Sequence, residues 1–168
     1  MSETPLPGAD RIKTLAELVP IVAALRAEGR RVVTTNGCFD IIHPGHVRSF
    51  EWAQAQGDVL VVGINSDDSI RALKGEKRPI VDAQNRARVL AGLRAVDYVF
   101  IFDGNPPSWF PLLKPDIHIK GEGSAQDPAF PAEKALVESF GGELRLAPYS
   151  EGLSTTNIIE TIVQRYGA

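Results

Sequence analysis

The spacing of apolar residues changes character once along the chain. In the first segment, Leu15, Leu18, Val19, Ile21, Val22, Ala24 and Leu25 follow Thr14 at helical intervals, with Thr14 as the candidate cap and Gly29 as the stop. From Arg31 onward, short β-branched runs recur at Arg31–Thr35, Val59–Ile64, Tyr98–Phe102, Asp116–Ile119 and Glu143–Ala147. Helical stretches separate and follow them, at Pro44–Gln56, Gln84–Leu93, near Ser108–Leu113, at Pro131–Phe140 and at Thr155–Tyr166. Val59-Leu-Val-Val-Gly-Ile64 is apolar on both faces, as a strand is when a parallel sheet is covered on both sides. The alternation predicts an α/β fold, with a doubly wound parallel five-stranded sheet, helices on both faces and right-handed crossovers. Residues 1–10, rich in Pro and polar side chains, read as a flexible tail, which leaves 11–168 as one domain.

Composition narrows the functions that fit. The net charge is −3 and no stretch is strongly basic, which argues against a duplex-binding surface but leaves room for a small anionic ligand. Cys38 is the one cysteine, so no intrachain disulfide can form. No apolar run approaches the ~20 residues needed to span a bilayer, and the start lacks the basic and apolar regions of a signal peptide. A cytoplasmic protein with no membrane and no nucleic-acid partner is the expectation.

Ligands of such sheets bind beyond the carboxyl ends of the strands. The first of those loops reads Thr35-Asn-Gly-Cys-Phe-Asp-Ile-Ile-His43-Pro-Gly-His46. Asn36 and Gly37 suit a tight turn, and Pro44 suits the first turn of a helix. That helix start would offer free N–H groups to a phosphate, with His43 and His46, three residues apart, on one face. Two imidazoles there suit phosphoryl or nucleotidyl transfer, because fixed donors stabilise charge that develops in the transition state. A zinc site would need a third ligand, and His118 is the only other histidine. Cys38 reads better as a small residue packed beside Phe39 than as a nucleophile.

Three other segments carry chemistry. Glu151-Gly-Leu-Ser-Thr-Thr-Asn157 places Ser154, Thr155 and Thr156 at the start of the last helix, where a plain cap explains one hydroxyl but not three. Lys74-Gly-Glu-Lys-Arg-Pro-Ile80 is basic, and by itself reads as a solvated loop that Gly75 could allow to close. Asn65-Ser-Asp-Asp68 reads as helix capping.

Gly37-Cys-Phe-Asp-Ile-Ile-His-Pro-Gly-His46 resembles the signature of the cytidylyltransferase-like nucleotidyltransferases, a Rossmann-like family. With the leading Thr35-Asn36 it is similar to the adenylyltransferases of bacterial heptose-phosphate metabolism, and the resemblance runs from residue 11 to about 166. It implies transfer of AMP from ATP to a heptose 1-phosphate on the way to lipopolysaccharide precursors, with Mg2+ carried on the nucleotide phosphates. It also implies a homodimer. The residues it points to as catalytic are His43, His46 and Lys74. Those it points to for the nucleotide are Asn36, Gly37, Cys38, Phe39, Arg86, Lys120, Gly121, Ser154, Thr155 and Thr156, with Lys77 and Arg78 as further phosphate contacts and no protein metal ligand. Leu93–Val99 matches a segment with a structural role. Lys120-Gly-Glu-Gly-Ser124 departs from the Lys-Gly-Gly-Asp-Tyr usual in the heptose enzymes, and Asn105–Pro111 is atypical. A CTP-dependent enzyme acting on a polyol phosphate is the nearest rival. A non-catalytic nucleotide-binding module is a rival of another class.

Overall fold

The structure, a computed structural model, describes residues 8–148, 152 and 154–167. Five parallel strands, β1 (Val32–Gly37), β2 (Val59–Asn65), β3 (Tyr98–Phe102), β4 (Ile117–Gly121) and β5 (Glu143–Ala147), form one sheet in the order β3-β2-β1-β4-β5. All seven residues of β2 are buried, as its two-sided apolar run requires. The helices are α1 (Leu15–Ala27), α2 (Pro44–Gln54), α3 (Asp67–Lys74), α4 (Ala83–Ala91), α5 (Phe110–Leu113), α6 (Phe130–Ser139) and α7 (Thr155–Tyr166).

Side-chain alternation along the strands splits the core into two layers. On one face, α2 and α4 set Phe50, Ala53, Ala87 and Leu90 against Val33, Leu60 and Ile119. On the other, α1, α5 and α6 set Leu18, Val22, Phe110 and Val137 against Val32, Val61 and Phe100. The predicted doubly wound arrangement is what the chain adopts.

Several local details differ from the pattern-based expectation. Asn36 and Gly37 do not form a turn; they complete β1, paired with Gly63 and Ile64, and the chain turns at Phe39, whose φ is +47°. Residues 67–74 form a helix of their own, capped by Ser66, whose Oγ accepts from Ser69 N. The capping role expected in Asn65–Asp68 thus falls to Ser66. Thr14 caps α1 through a reciprocal pair with Glu17, and Gly29, at φ +76°, follows its end as expected. Residues 1–7 of the expected tail lie outside the described residues. Ala9–Arg11 form a 3-10 turn, and Arg11 Nη1 donates to Val96 O at 2.9 Å, beside the end of α4. No helix among the described residues is long and apolar enough to cross a membrane.

Candidate active site

The chain runs outward from β1 to β2 and β3, then returns to β4 on the other side of β1. Loops leaving β1 and β4 therefore diverge, and a crevice opens between them. It is a cleft of about 350 Å³. His43 and His46 form one wall, Gly121 and the Glu122–Ser124 turn another, and Pro148, Ser154 and Thr155 close it.

Local sequence explains the histidine wall. Pro44 opens α2, and His43, in extended backbone, stands just before it. His46 N donates to His43 O at 2.9 Å, so the first turn sets the rings face to face, with centroids 3.7 Å apart and planes 25° apart. Phe39 holds them from behind, edge-on to His46 at 5.2 Å and against Phe50 at 5.0 Å. Its ring folds back over Gly37, where a Cβ would stand 2.9 Å from Phe39 Cζ, so a glycine is needed there.

Burial, and then the neighbouring His43, push the pKa of His46 down to about 4, and burial lowers that of His43. Both rings are neutral at pH 7. Asn36 Oδ1, His43 Nδ1 and His46 Nδ1 are buried without a partner among the described residues. An unsatisfied buried polar atom costs about 1–3 kcal/mol, and three along the end of β1 and the segment that follows it are what a polar ligand would satisfy.

The start of α7 meets this loop directly. Thr155 Oγ1 donates to Ile41 O at 3.3 Å, and Ser154 Oγ accepts from Asn157 N at 3.0 Å, which leaves the Ser154 O–H to donate. Thr156 is exposed and off the cleft wall. Glu151 and Leu153 of the same motif lie outside the described residues.

The expected phosphate cations are placed less simply. Arg86 is 1% exposed. Its Nε donates to Val81 O at 2.8 Å, Nη1 to Cys38 O at 2.7 Å, and Nη2 to both Asn65 O and Asp67 Oδ1 at 2.8 Å. It pins the loops after β1 and β2 together and has one N–H left. Lys120 points to the α6 layer and pairs with Glu133, which is 3% exposed, while Gly121 lines the cleft. Lys74 ends α3, exposed and off the cleft wall. Burial raises the Cys38 thiol against the pull of Lys74, Arg86 and Arg78, so it is no activated nucleophile. His118 sits on the far side of the sheet from His43 and His46, and its Nδ1 lies 2.8 Å from Thr34 Oγ1.

Asp40 was not singled out by the sequence. Buried, it accepts from Arg78 Nε, Ile80 N and Val81 N, and so straps the basic loop to the histidine loop. Burial would raise its pKa, but these donors outweigh burial and hold it below the ordinary carboxylate value. Spacing offered a signal for the other buried charges: Arg86 lies four residues before Leu90, and Glu133 four before Val137, each pair on one core-facing stripe.

The cytidylyltransferase-like family model matches residues 34–161. The bifunctional protein HldE of Geobacter sulfurreducens is 47% identical over 161 residues, covering 95% of this chain and 32% of that protein; HldE of Koribacter versatilis is 47% identical over 151 residues. The chain spans about a third of the length of the curated relatives it matches. Among solved structures, a lipopolysaccharide core biosynthesis protein of Thermoplasma volcanium superposes with a TM-score of 0.61 at 27% identity, covering 73% of this chain and all of that one. A pantoate–β-alanine ligase of Francisella tularensis shares the fold, with a TM-score of 0.63 at 17% identity over 89% of this chain and 76% of its own. The chain belongs to the cytidylyltransferase-like family, a family of nucleotidyltransferases.

Proposed function

We propose that this domain transfers AMP from ATP to a sugar 1-phosphate of the heptose type and releases pyrophosphate. One observation carries the reading: two stacked neutral imidazoles, with unpartnered buried nitrogens, share a cleft with the hydroxyl-bearing start of α7. An oxygen of the acceptor phosphate attacks the α-phosphorus of ATP. A new P–O bond forms, the bond to the bridging oxygen breaks, and pyrophosphate leaves with that electron pair. His43 and His46 donate hydrogen bonds to the α-phosphoryl oxygens, where charge redistributes in the transition state. The Ser154 hydroxyl and the free N–H groups at the start of α7 hold the leaving phosphates.

The similarity to HldE and to a lipopolysaccharide core biosynthesis protein supports the acceptor class. The cleft wall carries one carboxylate, Glu122, and no group of three candidate ligands exists among the described residues. That donor set fits Mg2+ carried in on the triphosphate, where it keeps several waters and neutralises the β- and γ-oxygens. The test is pyrophosphate release with ATP or CTP against heptose 1-phosphate, other sugar 1-phosphates and glycerol 3-phosphate. Turnover with ATP and heptose 1-phosphate is the expected result. Preference for CTP with glycerol 3-phosphate would replace this reading with the polyol one, and nucleotide binding without turnover would favour a non-catalytic module.

A further inference from the structure

Helix α7 is anchored at one end only. Thr155 Oγ1 donates to Ile41 O, and Ser154, Thr155, Ile158 and Ile159 are half-buried. From Glu160 to Tyr166 every residue is exposed. No residue of α7 is buried, whereas α1, α2, α3, α4 and α6 each bury at least two. A helix of about 12 residues is marginal in water unless one face is packed.

The exposed part of α7 carries such a face. Ile159, Ile162, Val163 and Tyr166 recur at i, i+3, i+4 and i+7, which sets them in one stripe. Ile162 is 50% exposed, Val163 62% and Tyr166 82%. Together they leave on the order of 400 Å² open, the size of a patch that marks an interaction site on a soluble protein. The flanks of the stripe are charged with opposite signs. Glu160 lies on one side and Arg165 on the other, and neither has a hydrogen bond or ion pair among the described residues.

That charge pattern selects the occupant. In a parallel pair of identical helices, a residue on one flank meets the opposite flank of the second helix about five positions further along. Glu160 then faces Arg165 of the second copy at both edges, while the apolar stripes close on each other. Antiparallel pairing would set Glu160 beside Glu160 and Arg165 beside Arg165, which is repulsive at both edges.

We propose that α7 pairs in parallel with α7 of a second copy of this chain, with Ile162, Val163 and Tyr166 at the centre and Glu160 and Arg165 sealing the edges. The helix whose start closes the cleft is thereby held at its far end by the second copy. This surface is separate from the cleft, and the assignment does not depend on the transfer reading.

The experiment is sedimentation equilibrium on the wild type, Ile162→Glu, Glu160→Arg, Arg165→Glu and the double reversal, with circular dichroism to confirm folding. An interface this small predicts a weak dimer, with a Kd on the order of 10 µM, visible between about 1 and 200 µM. Ile162→Glu should be monomeric throughout that range. Each single reversal places like charges at both edges and should weaken the dimer about tenfold, and the double reversal should restore it. A wild type that stays monomeric, or a dimer indifferent to Ile162→Glu, overturns the proposal. Single reversals without effect, or a double reversal that fails to rescue, overturn the parallel pairing on which it rests.

Discussion

The chain has three histidines, and the sheet sorts them into two environments. His43 and His46 stack at the start of α2 on the wall of a cleft, each with a buried, unpartnered Nδ1. His118 is fully buried in the opposite layer, between the rings of Trp109 and Phe110 and bonded to Thr34. Burial lowers the pKa of all three, to about 3 for His118 and about 4 for His46. The same desolvation therefore serves two ends. On one face it keeps donors neutral beside a ligand space, and on the other it keeps a core polar group uncharged. What separates the two is access, not ionisation.

That contrast can be broken most sharply at His46. His46→Ala should lower kcat/KM by about 10²- to 10⁴-fold, the usual range for a lost transition-state donor, with little change in unfolding midpoint. A variant that unfolds but keeps its turnover when folded would make His46 another core histidine. Arg86 offers the reverse test. Arg86→Leu leaves Asp67 and three carbonyls without their partner and should cost about 3–5 kcal/mol in denaturant unfolding. Wild-type stability with a raised KM for ATP would instead return Arg86 to the phosphates.

The pH dependence of stability sharpens the comparison further. Both His118 and His46 have folded pKa values below those of the unfolded chain. Their contribution is complete above about pH 6.5 and is lost as pH falls toward the folded values. His118 alone should cost on the order of 2 kcal/mol between about pH 6.5 and pH 5, at roughly 1.4 kcal/mol per pH unit. His118→Asn should flatten that slope while lowering stability at pH 8, as thermal unfolding across pH would show. The smallest effect is expected at Ser154, where alanine should cost about 1 kcal/mol through the lost cap. A larger loss in kcat/KM would then report the hydroxyl acting on phosphate.

The architecture was legible because its signals are periodic. Buried parallel strands read as unbroken apolar runs, and α1 carries both ends of its punctuation in Thr14 and Gly29. Helix α3 was not read as a helix because it is only eight residues long and mostly polar, with charges at Asp67, Asp68, Arg71 and Lys74. Within the site, the histidine loop and the start of α7 could be found from local motifs. The commitments of Arg86, Lys120 and Asp40 could not, because each depends on a partner far along the chain. Asp40 and Arg78 are 38 residues apart, and Arg86 and Cys38 are 48 apart. Which side of the sheet Lys120 faces is set by strand register, and one residue of slip would reverse it.

The segment leading into α1 has a consequence for assembly. Ile12 bridges to Val99, and Lys13 N donates to Val99 O at 2.9 Å, along the outer rim of β3. Backbone groups on that rim are thus partly occupied by the chain itself, which blunts β3 as a template for strand addition. The opposite rim, β5, carries Glu143 paired with Arg145, and charge at an exposed edge resists the same event. Copies of this domain that associate should therefore do so through helices and loops, without extending the sheet.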